Sequence, residues 1–258
     1  AGGNTDKGVV YSSPYSTRVT LGGTIPVNGT TVLEASLPDP PLATAMMLRD
    51  RFAARGISVS GTCRTKRTYT TTDTVREMLS TTVSPTLKEM ITTTNQESIN
   101  LFAGQLCKHL GLVYRENPSF DAGLDVIKSF LDTAKISPAN VMFTDASGLS
   151  RDNLLSAGFM TQFLRYIYNS PLKETFMSSL PVSGVSGTLK NYFSDDALKG
   201  KITAKTGSMT GVRSMAGFVT TSTGRVMAFT IMVNGYTATG TEVAGRIEEI
   251  LKAIVMNY

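Results

Sequence analysis

Residues Lys201–Gly235 read KITAKTGSMTGVRSMAGFVTTSTGRVMAFTIMVNG, and this stretch decides the fold. Its opening alternates, with Ile202, Ala204 and Thr206 on one side and Lys201, Thr203 and Lys205 on the other. That is the period of a strand. Gly207–Gly211 is expected to break it. Ser214–Thr220 and Val226–Val233 then predict a hairpin around Thr223-Gly224, part of an antiparallel sheet. Downstream, Thr239 and Glu242 have capping-box spacing, and Val243, Ile247, Ile250, Leu251 and Ile254 line one face of a final helix.

Working back from this stretch, Leu155–Tyr168 and Leu172–Ser179 read as helices, and Val141–Thr144 as a short buried strand entering the turn-rich Asp145–Gly148. Ala122–Leu131 is a further helix. A longer one, Gln96–Leu110, is expected to end at Gly111 and to bury Ile99, Leu101, Phe102, Leu106 and Leu110. Pro85 suits the first turn of a helix over Pro85–Ile91. Thr62–Thr94 holds thirteen Thr in 33 positions, a composition shift that marks a candidate domain junction. Within it, Arg67–Asp73 reads as a loop or an edge strand. Before the junction, Leu42–Arg55 is a helix stopped by Gly56, and Ile57–Val59 is a short strand. Arg18–Leu21 and Thr30–Leu37 are β-like, separated by Gly22-Gly23 and the turn signal Asn28-Gly29.

Composition narrows the chemistry. The chain has 258 residues, a net charge of +5, one His, two Cys and no Trp. These counts leave a structural zinc site almost without ligands, and a Ser-His-Asp triad only His109. Seven basic residues lie between Arg49 and Arg76, but aromatics do not interleave with them in a way that would stack bases, so they read as a solvated surface without nucleic acid. No stretch approaches 18 consecutive apolar residues, so no membrane span is expected. The chain starts at Ala1 without an initiator Met, which reads as a processed product or a fragment.

His109 lies eleven residues beyond Ser98 on the expected long helix, roughly 16 Å away at 1.5 Å rise per residue. It cannot act as the base for Ser98. Cys107 reads as a buried small hydrophobe and Cys63 as the more exposed thiol, with nothing local to bridge them. Three elements remain: Ser98-Ile99-Asn100, Asp145–Asn153 (DASGLSRDN) and Lys205-Thr206-Gly207-Ser208. A substrate ending in a free carboxylate needs a cation and hydroxyls, which Lys205, Thr206 and Ser208 provide. An extended peptide along the strand edge would gain backbone hydrogen bonds, with Gly207 keeping that edge clear.

Ser-x-Asn followed by Lys-Thr-Gly matches two parts of the site of penicillin-binding proteins and class A β-lactamases. Together with DASGLSRDNLLS (Asp145–Ser156), LPVSGVSG (Leu180–Gly187) and Lys205–Gly235, the chain resembles the D-alanyl-D-alanine carboxypeptidase/endopeptidase family. These are the class C low-molecular-mass penicillin-binding proteins, peptidase family S13. The resemblance runs from about Asp39 to Gly235 and is weaker over the first 38 residues.

The resemblance implies an α/β fold of the α+β type, a penicillin-binding domain with antiparallel sheet flanked by helices and an inserted accessory domain. Residues 1–60 are then the tail of the accessory domain, and 61–258 the carboxy-terminal bulk of the catalytic domain. It implies no cofactor and no metal. The reaction implied is hydrolysis of D-Ala-D-Ala bonds, or of cross-bridges, in peptidoglycan stem peptides through an acyl-enzyme on Ser, with β-lactams as acylating ligands. An extracytoplasmic location follows from that substrate. On this chain, Ser98 would relay a proton, and Asn100 would hold the substrate's acyl side and the nucleophilic lysine. Lys205 would supply charge near Ser98 and the substrate carboxylate. Thr206 and Ser208 would bind that carboxylate, and the Ser208 N–H would be an oxyanion donor beside Gly207.

One element of the pattern is missing. No Ser ahead of Ser98 has Lys three positions on; Ser84 and Ser186 have Lys88 and Lys190 at plus four, and Ser170 with Lys173 at plus three falls behind Ser-x-Asn, where the pattern does not place the pair. In the family the Ser-x-x-Lys pair precedes the inserted domains, so the chain is expected to begin after it and to associate with the missing amino-terminal segment. The alternatives are a non-catalytic peptidoglycan-peptide binding module and a β-lactamase-like hydrolase.

Overall fold

The carboxy-terminal third folds as its alternation dictates. In the computed structural model, β3 (Ile202–Met209), β4 (Val212–Thr220) and β5 (Val226–Asn234) form an antiparallel sheet in the order β3-β4-β5. The expected break at Gly207 is absent. β3 runs on through Gly207, which pairs with Ser214, and turns only after Met209. A Cβ on Gly207 would meet Ser214 Oγ at 2.6 Å, so the missing side chain serves cross-strand packing within the sheet. The last helix, α7 (Gly240–Asn257), starts at the capping box of Thr239 and Glu242 and buries Val243, Ile247, Leu251 and Val255. Ile250, expected on that face, is half exposed at 49%.

The structure describes residues 8–16, 18–25, 29–67, 78, 80–139, 141–193 and 195–258. They fall into two compact units, Ala1–Thr81 and Thr82–Tyr258, and the division lies within the Thr-rich stretch. In the first unit, β1 (Val9–Tyr11) pairs antiparallel with β2 (Thr20–Gly22), and α1 (Pro40–Ala53) follows. Asp39 caps α1 by accepting from the Leu42 N–H and also pairs with Arg67, whose guanidinium stacks 4.0 Å from the centroid of the Tyr15 ring. Among the described residues of this unit, Asp39 alone is buried. Thr30–Leu37 and Ile57–Val59 form no strand; their apolar side chains, Val32 above all, stay exposed. Asn28 and residues 68–73, which carried the turn and edge-strand expectations, lie outside the described residues.

The second unit is a helical layer on a sheet. It comprises α2 (Leu87–Glu97), α3 (Asn100–Arg115), α4 (Phe120–Thr133), α5 (Ala157–Tyr168) and α6 (Lys173–Ser179), with a 3-10 turn at Gly187–Leu189 before β3. Met142 and Leu154 form an isolated bridge in place of the expected Val141–Thr144 strand. α2 begins later than Pro85, at a Thr86–Glu89 capping box. The break between the two helices expected here falls at Ser98 and not before Gln96, so α2 runs on to Glu97 and α3 starts at Asn100. Nor does Gly111 end a helix. It sits buried in α3, where a Cβ would approach the Asn117 carbonyl oxygen to 2.5 Å. The face of α3 that packs on α4 is made of small residues, Gly104, Cys107 and Gly111, while Leu101 stays 66% exposed.

Strand alternation gives the sheet two different faces. Ile202, Ala204, Met215 and Val219 join Val243, Ile247, Leu251 and Val255 of α7 in one apolar cluster. Phe218 packs on the other face with Leu164 of α5 and Leu180. The outer edge of β3 is half covered. Ala204 N–H donates to the Pro181 carbonyl at 3.0 Å, and Ser183 N–H donates to the Ile202 carbonyl at 2.9 Å. Beyond Ala204 the edge continues without that partner.

The α3–α4 contact makes a direct prediction. A Cβ at Gly123 would lie 2.1 Å from the Cys107 carbonyl oxygen and 2.6 Å from its Sγ. Backbone cannot yield as a side-chain tip can, so Gly123→Ala is expected to cost about 1–3 kcal/mol. Thermal denaturation would register this as a Tm lowered by several degrees.

Candidate active site

Three of the motif segments converge. Ser98 is the C-cap of α2 and adopts φ 56°, ψ 47°, a left-handed conformation that costs a residue with a Cβ roughly 1–2 kcal/mol. This break turns the side chain out of the helical register. Its Oγ accepts a 2.6 Å hydrogen bond from Lys205 Nζ on β3, and the same ammonium donates to the Thr206 carbonyl at 2.8 Å. Burial pushes the pKa of Lys205 below the ordinary lysine value. A desolvated ammonium on a hydroxyl is a short path for moving a proton.

The helix geometry expected for Ser98 and His109 therefore does not apply. The two lie on either side of a chain break, and His109 is exposed on α3. The partner of Ser98 is Lys205. Both cysteines are free, Cys107 buried and Cys63 half-buried. Burial, reinforced by the charge of Asp145, raises the Cys107 pKa. The plus-four pairs do not form a nucleophile either. Ser84 precedes the α2 cap, Ser186 and Lys190 flank the 3-10 turn, and the plus-three pair is engaged elsewhere, with Ser170 Oγ donating to the Ile167 carbonyl at 2.8 Å and Lys173 Nζ lying 4.0 Å from the Tyr168 ring centroid.

Asn100 opens α3, and its Nδ2 donates to the Ser147 carbonyl at 2.6 Å. That carbonyl belongs to a loop organised around Asp145. The carboxylate accepts from Ser147 Oγ (2.7 Å), Gly148 N–H (3.0 Å), Ser150 N–H (3.1 Å) and Asn153 Nδ2 (2.7 Å). With Nδ2 held by the loop, the Asn100 amide oxygen is left to face other groups. Asp145 is a residue the sequence reading quoted without giving it a role. Its signal was there: Asp followed by Ser and Gly at plus two and plus three is Asx-turn spacing.

Further contacts fix the helices against the strand. Gln96 Nε2 donates to the Leu180 carbonyl at 2.7 Å and Asn95 Nδ2 to Ser179 Oγ at 2.8 Å. Gly187 has φ +55°, and a Cβ there would meet Gln96 Oε1 at 2.4 Å. On β3, the Thr206 hydroxyl lies 3.0 Å from that of Thr188. Ala204 N–H and the Ile202 carbonyl point to the outer edge, so the period of two turns the N–H groups of Thr206 and Ser208 outward as well.

A helical layer with a Ser-x-Asn corner, set against the edge of an antiparallel sheet that carries Lys-Thr-Gly, defines the penicillin-binding/β-lactamase-like transpeptidase architecture. The structure of penicillin binding protein 4 from Haemophilus influenzae, complexed with a β-lactam, matches with a TM-score of 0.84 at 24% identity, over 96% of this chain and 59% of that one. A class A β-lactamase from Bacteroides cellulosilyticus matches at TM-score 0.50 and 20% identity, over 66% of this chain and 62% of that one.

The profile of the D-Ala-D-Ala carboxypeptidase 3 (S13) family matches residues 3–258, and the chain belongs to that family. D-alanyl-D-alanine carboxypeptidase DacB of Haemophilus influenzae is 35% identical over 144 residues, 55% of this chain and 30% of that protein. The D-alanyl-D-alanine carboxypeptidase of Actinomadura sp. is also 35% identical over 144 residues, 54% of this chain and 27% of that protein. The chain thus matches less than a third of the length of either curated relative.

The Asp145 loop predicts a pH dependence. Burial raises the Asp145 pKa, but the hydrogen bonds from Ser147, Asn153, Gly148 and Ser150 together outweigh it and hold the carboxyl below its ordinary value. A depressed folded pKa stabilises the fold above the unfolded value, about 4, and that contribution is lost as pH falls through the folded pKa. Asp145→Asn is therefore expected to destabilise at pH 7 and to show a smaller deficit at pH 3. Urea denaturation at the two pH values reads the difference.

Proposed function

We propose that the complete protein is a serine-type D-Ala-D-Ala carboxypeptidase acting on peptidoglycan stem peptides, with endopeptidase action on cross-bridges as a related capacity. The observation that carries this is the 2.6 Å contact between Lys205 Nζ and Ser98 Oγ, at the free edge of β3. The substrate class puts the reaction outside the cytoplasm. Among the described residues no helix is long and apolar enough to cross a membrane.

In this reading the nucleophilic Ser and its Lys belong to a segment outside these 258 residues. Two features support a missing neighbour. The outer edge of β5 is unpaired among the described residues, although its nine residues, VMAFTIMVN, are largely apolar. An open apolar edge of that length is a surface that native sheets cover. The described residues of the first unit, of which Asp39 alone is buried, also hold no core of their own and read as part of a larger accessory domain.

The chemistry then assigns roles residue by residue. The substrate's carboxy-terminal strand lies along Lys205–Ser208 and extends the sheet. The nucleophile's oxygen attacks the carbonyl carbon of the penultimate D-Ala, giving up its proton to the paired lysine. The Ser208 N–H stabilises the oxyanion, with Gly207 keeping the strand flat beneath it. Such a donor contributes on the order of 3 kcal/mol to the transition state. As the C–N bond breaks, Ser98 passes a proton to the leaving amine and recovers one from the Lys205 ammonium. Thr206 and Ser208 hold the leaving carboxylate. Asn100 orients the acyl side, and water then releases the peptide from the ester. β-Lactams acylate the same serine.

Fluorescent penicillin tests this reading. The full-length protein is expected to take one covalent label, at a residue outside the 258, and the 258-residue chain alone to take none by intact mass. Label on this chain would overturn the assignment of the nucleophile. In the full-length protein, Ser98→Ala is expected to lower kcat/KM for a D-Ala-D-Ala peptide by about 10²–10³-fold, in the range of a lost proton-transfer group.

A further inference from the structure

The carboxylate of a D-Ala-D-Ala substrate needs a counter-charge, and Lys205 is turned away from where the hydroxyls would hold it. On a strand, successive side chains point to opposite faces. Lys205 faces Ser98 and the helical layer, whereas Thr206 and Ser208 lie on the face that α7 covers, in line with buried Ile202 and Ala204. The Lys205 ammonium is also engaged already, with Ser98 Oγ and the Thr206 carbonyl.

On the Thr206/Ser208 face there is a cavity of about 210 Å³, bounded by Thr188, Tyr192, Thr206, Ser208, Arg213 and Ile247. Among the described residues that line it, Arg213 alone carries a charge. Arg213 is the register partner of Ser208 across the β3–β4 ladder. It is a non-hydrogen-bonded pair, the kind in which facing side chains approach closest. The guanidinium is braced: Nη1 donates to the Gly240 carbonyl at 2.7 Å, and Nη2 donates to the Tyr192 hydroxyl. Both acceptors are neutral, and no described carboxylate pairs with it. A guanidinium has five N–H donors, so three remain for a ligand.

We infer that Arg213 is the charged partner of the substrate's terminal carboxylate, setting preference for a free carboxy terminus together with Thr206 and Ser208. Lys205 is thereby left to the proton path through Ser98. The inference rests on the proposed function. Its chemistry favours Arg over Lys, because a braced planar fork presents two parallel donors to a carboxylate.

The test is calorimetry on the full-length protein, its penicillin-labelled serine replaced by Ala to prevent turnover, with diacetyl-L-Lys-D-Ala-D-Ala and with the amide of the same peptide. The free acid is expected to bind at least about tenfold tighter than the amide, or about 1.4 kcal/mol. Arg213→Gln is expected to bring that ratio to within about twofold by weakening the acid alone, and Arg213→Lys to leave it intermediate. A ratio unchanged in either variant overturns the inference, and Arg213→Lys keeps the test open if the Gln variant does not fold. A second titration separates this result from the functional reading. N-acetyl-D-alanine is expected to shift the Arg213 Nε–H resonance, and its amide to leave it in place. If neither peptide binds but that shift occurs, the functional reading fails and the Arg213 site stands. If no shift occurs, the Arg213 site falls whichever way the peptides behave.

Discussion

The hydrogen bond from Lys205 to Ser98 joins the two layers of the second unit at one point, and the rest of the site is arranged to hold its ends. On the helical side, Ser98 reaches the strand only because α2 stops in a left-handed residue and α3 starts afresh at Asn100. Gln96 and Asn95 pin the last turn of α2 to the Ser179–Leu180 backbone, so the strained corner cannot drift. On the sheet side, Lys205 is centred on a strand whose neighbours are locked by β4 and by a core reaching α7. Strain at a polar corner persists where the surroundings over-determine it. Here they do so from both directions.

The half-covered edge of β3 is the second constraint. Pro181–Ser183 occupies the edge at Ile202–Ala204, and the 3-10 turn that follows brings Thr188 to Thr206. One short connection therefore closes the edge at Ile202–Ala204 and frames the open part from Lys205 onward. The same strand shows two faces through its alternation, with Lys205 on the Ser98 side and Thr206 and Ser208 on the α7 side, where Arg213 is the register partner of Ser208.

Much of this was legible in the sequence where period and cap agree. The hairpin of β4 and β5, the Thr239–Glu242 cap and the buried stripe of α7 follow from patterns that local physics enforces. The triplets Ser98–Asn100 and Lys205–Gly207 could be picked out by residue type. What the sequence did not disclose depends on contacts between distant segments. Gly111 looks like a helix stop, but it is a close-approach point for the Asn117 carbonyl. Ser98 has nothing in its own neighbourhood to mark a left-handed break. Leu101 fits a buried stripe, yet α3 turns its glycine-rich face to α4. Arg213 sits in a hairpin where a basic residue reads as surface. Only the register with Ser208 and the cavity beside it give it a place.

The small-residue contact between α3 and α4 has one more consequence. Gly123 lies against Cys107, whose thiol is buried and has its pKa raised, while Cys63 is partly accessible. A thiol reagent reacts with the thiolate, so in the native protein it would modify Cys63 and spare Cys107. The rate at which Cys107 becomes modifiable then measures how often the two helices separate. The pair carries an intrinsic clock for local opening of α3 from α4, readable at cysteines the native chain already holds.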